Sequence, residues 1–102
     1  MAPIDSDTKK DIRNLVYEFF AEECDVEPDS ISDQTNIIEE LEGDSLMLLA
    51  LLEKASRKYG LTIQLKELGK HLMTQPAATI GDIIRLTNAL VEHGDNIVNV
   101  NL

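Results

Sequence analysis

Apolar residues recur at helical spacing in four stretches of this chain. Ile12, Leu15, Val16, Phe19 and Phe20 form the first stripe. Asp5 or Ser6 stands where its N-cap is needed, and Asp7 and Asp11 suit the N-terminal side of that helix. Cys24 ends the stripe as a small core residue, and Asp25 to Pro28 stops the helix. The second helix should run from about Ser45 to Tyr59. At 100° per residue, Leu48, Leu49, Leu52, Ala55, Ser56 and Tyr59 share its core side. Glu53, Lys54, Arg57 and Lys58 fall opposite. Leu46, Met47 and Ala50 fall on that charged side too, which predicts an exposed apolar patch at the start of the helix. Gly60 is placed to close it.

Leu61, Ile63 and Leu65 lead into a shorter third helix, about Leu65 to Met73, with Leu68, Leu72 and Met73 inward and Pro76 ending the region. Gly69 is its weak point. Thr79 and Asp82 resemble a capping box, with Asp in place of Glu or Gln. The last helix then buries Ile80, Ile83, Ile84, Thr87, Leu90 and Val91, and His93-Gly94 closes it. The expected fold is an all-α four-helix bundle with a long loop between the first and second helices and a short third helix. Residues 1–93 make one domain and the Asn-rich residues 94–102 a frayed tail.

The loop, residues 25–44, is far longer than a usual connection. It needs anchors, and Val26, Ile31, Ile37, Ile38 and Leu41 can dip into the core. Thr35 to Glu40 suit a short helical turn. Asp25, Glu27 and Asp29 hint at a calcium loop, but Ser30 stands where a Gly is needed and Asn36 where a bidentate Glu is needed, so no metal site is expected.

The net charge of −10 argues against nucleic acid and anionic membranes and for partners with basic surfaces. It is concentrated: from Asn14 to Glu53 there are twelve acidic residues and no Lys or Arg. That run serves equally as a solvated face and as a docking field ahead of Ser45. No apolar run is long enough for stable membrane insertion. The start of the chain lacks the basic and apolar regions of a signal peptide, and the single Cys24 suits a reducing cytoplasm. Glu22, Glu23 and Asp25 disfavour a thiolate there.

The candidate chemistry lies at Gly43-Asp44-Ser45-Leu46. Asp44 is a good N-cap. Ser45 then opens an apolar helix close to free backbone N–H groups and the positive end of the helix dipole, a favourable place for a phosphate. By spacing alone Asp44-Ser45 is a cap and no more. The surrounding order adds to it: a helix upstream, Glu40-Leu41 before the serine, Tyr59-Gly60-Leu61-Thr62-Ile63 after the second helix, and Thr79-Ile80-Gly81-Asp82-Ile83 opening the last. With these, residues 8–91 resemble the acyl carrier proteins.

The resemblance implies that Ser45 carries 4′-phosphopantetheine, with Asp44 and Leu46 completing the attachment motif. It implies a phosphopantetheinyl transferase (a holo-acyl-carrier-protein synthase) and acyl-transferring or acyl-modifying enzymes as partners. The chain itself would be a monomeric, non-catalytic carrier of acyl thioesters between enzymes of fatty acid, lipid or related biosynthesis. The partner surface would comprise Glu39, Glu40, Glu42, Leu46, Met47 and Ala50. The chain departs from the family in two places. Glu42 occupies a position where Gly is usual, and Met47 and Ala50 replace acids usual on the outer face of the second helix. Docking to standard fatty-acid enzymes is thereby put in doubt, and a specialised carrier with dedicated partners is expected.

Two other classes remain. Gly43-Asp44-Ser45-Leu46 also matches the nucleophile motif of a lipase and esterase family, which needs a catalytic His with an Asp three residues before it. Leu68 and Leu90 stand at those positions ahead of His71 and His93, and His71 is read as a surface residue. The third class is a helical interaction module that is never modified.

Overall fold

The computed structural model describes residues 5–61 (the backbone alone at position 45), 66, 69–70 and 78–93. Four α-helices have their bounds there: α1 (Ser6–Glu23), α2 (Ile37–Leu41), α3 (Ser45–Lys58) and α4 (Ile80–His93), with a 3-10 turn at Pro28–Ser30. The fold is an all-α bundle with a long loop between α1 and α3. The expected third helix lies mostly outside the described residues, with its inward positions Leu68, Leu72 and Met73, and with His71 and Pro76. Lys66, Gly69 and Lys70 within it are helical.

The α1 stripe is buried throughout, and Asp5 is the cap: its carboxylate accepts from the Thr8 N–H at 2.8 Å. The helix ends with Asp25 in the left-handed region (φ 54°), and the Val26 N–H reaches back to the Ala21 carbonyl. Cys24 is half-buried. Burial first, and the Glu23 carboxylate second, push its thiol up.

In α3 the expected core side is inward, with Leu49 and Tyr59 half-buried and the rest buried. Leu51, on the same arc, is fully buried as well and completes the stripe. Gly60 adopts φ +68°, and the Leu61 N–H bonds the Ser56 carbonyl at 2.8 Å, so the helix ends on a glycine cap. In α4 the Thr79–Asp82 box forms as expected. The Asp82 N–H donates to Thr79 Oγ1, and Asp82 Oδ2 accepts from the Thr79 and Ala78 N–H groups, each at 3.1 Å. Burial alone would raise the Asp82 carboxyl, but those bonds and Arg85 reverse this and hold it below the usual range. Leu86 and Ala89 are buried beyond the expected stripe, because α4 packs against both α1 and α3.

α1 and α3 run antiparallel. Lys54 Nζ lies 6.0 Å from the centroid of the Phe19 ring, while the Asp11 carboxylate is near enough to Tyr59 to add to the effect of burial in raising its hydroxyl. The start of α1, with Lys9 and Lys10, and the end of α3, with Arg57 and Lys58, therefore share the end of the bundle away from Ser45.

The loop is tied down on two sides. Asp33 accepts from Arg13 Nη1 at 3.0 Å, Arg13 Nη2 at 2.7 Å and the Tyr17 hydroxyl at 2.5 Å. Its carbonyl accepts from the Gly81 N–H at 2.8 Å. The Ile80 N–H donates to the Thr35 carbonyl and the Ile37 N–H to that of Ala78, forming an isolated bridge between Asn36 and Thr79. Ile31 and Ile37 are buried anchors, and Val26 and Leu41 are half-buried. Ile38 is not an anchor. Ile37 opens α2 facing inward, so the next residue turns outward by 100° and is 58% exposed.

The Tyr17 hydroxyl, and then Arg13, hold the Asp33 carboxyl below the usual carboxylate range. A lowered folded pKa gives stabilisation that is complete above the unfolded value, about pH 4, and is lost as pH falls through the folded value. Because Arg13 and Asp33 are both nearly half exposed, water screens the pair. Asp33→Asn should cost about 1 kcal/mol at neutral pH. Urea unfolding of the two proteins should converge as pH falls through the lowered pKa of folded Asp33.

Candidate functional site

The site is the junction of α2 and α3. Asn36 opens α2, its Oδ1 accepting from the Ile38 and Glu39 N–H groups, while Glu40 Oε2 accepts from the Asn36 N–H at 2.6 Å. After Leu41 the chain must reverse within three residues. Glu42 does so in the left-handed region (φ 56°), where a side chain is unfavourable. That is the position where the family resemblance leads one to expect glycine. The Glu42 and Gly43 N–H groups both reach the Ile37 carbonyl.

Gly43 is buried by close approach. A Cβ on it would lie 2.5 Å from Ile37 Cγ2, 3.3 Å from the Ile37 carbonyl oxygen and 3.4 Å from Met47 Sδ. Asp44 follows with extended backbone, and its Oδ1 accepts from the Met47 N–H at 3.0 Å, so it is the N-cap of α3. Ser45 is the first helical residue. The orientation and exposure of its hydroxyl lie outside what the structure describes.

The first N–H groups of α3 have no partner within the helix, and Asp44 takes only that of Met47. Leu46 is 75% exposed beside them. The backbone at Ser45 therefore offers donors and a positive dipole end, an arrangement that fits a phosphodiester on that residue. Of the expected partner surface, Glu39, Glu40, Glu42, Leu46 and Ala50 are exposed. Met47 is half-buried, because its thioether packs inward near Gly43.

A family profile described as "Phosphopantetheine attachment site" matches residues 14–87. The chain belongs to the acyl carrier protein family. It is 42% identical over 100 residues to a Clostridium acetobutylicum protein described as "Acyl carrier protein homolog", covering 98% of this chain and 97% of that one. No solved structure matches at a significant level. The cofactor of the family is covalent 4′-phosphopantetheine, and its members are non-catalytic carriers that meet phosphopantetheinyl transferases and acyl-handling enzymes.

No strand precedes Gly43 among the described residues, and the Leu90 that stands where the lipase and esterase motif needs an Asp ahead of His93 is fully buried. Two hollows lined by described residues lie between α1 and α4, around Lys9, Ile84 and Asn88, rather than at the α3 mouth. No helix among the described residues is long and apolar enough to cross a membrane, and none of their acidic, His and Cys side chains group to hold a metal.

The Glu42 backbone was the feature hardest to see in the sequence, although the departure from the family's glycine marks its position. Glu42→Gly should relieve the left-handed strain and raise stability by about 0.5–1 kcal/mol after the entropy of the unfolded glycine is subtracted. Gly43→Ala should do the reverse, displacing the fully buried Ile37 at a cost of about 1–3 kcal/mol. Thermal unfolding of the two single variants reads both signs.

Proposed function

We propose that this carrier bears its 4′-phosphopantetheine on Ser45, with Asp44 and Leu46 as the rest of the attachment motif, and shuttles acyl groups between enzymes of fatty acid, lipid or related biosynthesis. The observation that carries this reading is the capped opening of α3. Asp44 holds the Met47 N–H, Ser45 follows as the first helical residue, and its neighbour Leu46 stands 75% exposed.

The serine hydroxyl would give its proton to a base on the transferase and bond to the phosphorus of the pantetheine phosphate of coenzyme A, with adenosine 3′,5′-bisphosphate leaving. Once attached, the arm supplies a terminal thiol that holds an acyl group as a thioester. The chain's own part is to present the hydroxyl at the helix mouth, to offer first-turn N–H groups to the phosphate, and to label the site with acidic and apolar neighbours. Any magnesium belongs to the transferase. The chain then acts as a single cytoplasmic, monomeric domain of residues 1–93 without catalysis of its own. The apolar and basic character of α3 beyond the serine supports a specialised carrier with dedicated partners.

Intact mass tests the site. Incubation with coenzyme A, magnesium and a broad-range phosphopantetheinyl transferase should add one phosphopantetheine per chain, located on Ser45. Ser45→Ala should fold normally and accept none. Modification of that variant would refute the assignment, and no gain in mass with several transferases would favour an unmodified interaction module.

A further inference from the structure

Among the described residues two large apolar side chains are well exposed, Ile38 at 58% and Leu46 at 75%. They are not scattered. Ile38 is the second residue of α2 and Leu46 the second of α3. Gly43 brings the two helix starts together, since a Cβ there would meet both Ile37 and Met47. Ile38 and Leu46 are the chain neighbours of that pair, so the two exposed residues flank, along the chain, the turn that carries Asp44 and Ser45.

The charged residues beside them in the chain have one sign. Glu39, Glu40, Glu42 and Asp44 are exposed, and no Lys or Arg occurs between Asn14 and Glu53. The first cation of α3, Lys54, comes about two turns after Leu46. The base of the patch is fixed. Ile37 is fully buried, and the Ile38 and Glu39 N–H groups are both held by Asn36 Oδ1, so docking there orders little. An apolar centre with an acidic frame is the complement of an apolar socket with a basic rim: the frame steers the encounter and the centre supplies affinity.

Resting on the reading of Ser45 above, we infer that Ile38 and Leu46 form a two-point apolar knob that seats in such a socket on the phosphopantetheinyl transferase. Leu46 belongs to the attachment motif. Ile38 does not, and it adds to the affinity for the transferase independently of the motif.

The test uses the full chain with coenzyme A, magnesium and a broad-range phosphopantetheinyl transferase, following initial rates by intact mass. Ile38→Ser and Ile38→Gln should each raise KM on the order of tenfold with kcat little changed and the unfolding temperature unmoved. Ile38→Leu should restore the KM of the parent. Added salt should raise KM for the parent and for Ile38→Ser alike, because the acidic frame is intact in both. If the parent is loaded and Ile38→Ser is loaded with the same KM, the inference is overturned while the attachment site stands. If no transferase loads the parent, the site reading falls and takes this one with it. A concentration-dependent dimer of the parent, abolished by Ile38→Ser in sedimentation, would give the patch to a second copy of the chain and likewise overturn the proposal.

Discussion

The α3 mouth is held in place through Asp33. A connection as long as residues 25–44 costs about 1–2 kcal/mol of backbone entropy for each residue it fixes. It contains one turn of 3-10 helix and one short α-helix to offset that. Asp33 joins it to two helices at once. The carboxylate takes Arg13 and Tyr17 of α1, and the carbonyl of the same residue takes the Gly81 N–H at the start of α4. The approach is so close that a Cβ on Gly81 would lie 3.0 Å from that carbonyl oxygen. Two further backbone bonds, from Ile80 to Thr35 and from Ile37 to Ala78, lock the segment just ahead of α2. With Ile37 then buried, Gly43 and the cap of α3 have one place to go.

The elements legible in the sequence are those that local chemistry decides. The α1 stripe, the Asp44 cap, the glycine end of α3 and the reciprocal Thr79–Asp82 bonds all depend on residues within one or two turns of each other. Asp33 was not legible, because its partners lie 16 to 48 positions away in the chain and nothing in the spacing connects them. The same limit explains the apolar residues. Leu86 and Ala89 lie beyond the expected face of α4, and only the presence of helices on two sides of it buries them. Ile38 reads as an anchor if the loop is imagined as irregular. Its exposure follows once Ile37 is the residue that starts α2 inward.

At the candidate site, the ordered set of motifs carried the family, and the matching profile and relative bear it out. The finer geometry needed coordinates. The departure at Glu42 and Gly43 looks in the sequence like a glycine moved by one place. In the fold it is two separate demands: a left-handed residue at 42, met by Glu at some cost, and a residue without a Cβ at 43, which presses on Ile37. A glycine at 42 alone would leave a side chain at 43 pressing on Ile37.

The antiparallel course of α1 and α3 also gives the molecule an electrical axis. Among the described residues, Lys9 and Lys10 near the start of α1 share one end with Arg57 and Lys58 near the end of α3, against the acids Asp5, Asp7 and Asp11. The stretch that forms the α2 end supplies acids and no cation, and Arg13 and Arg85, which reach that side from α1 and α4, are paired with Asp33 and Asp82. In the field of a positively charged surface such a body feels a torque as well as a pull, and it rotates before contact so that the α2–α3 junction arrives first. Encounters that would otherwise begin sideways are thus turned toward the serine during approach.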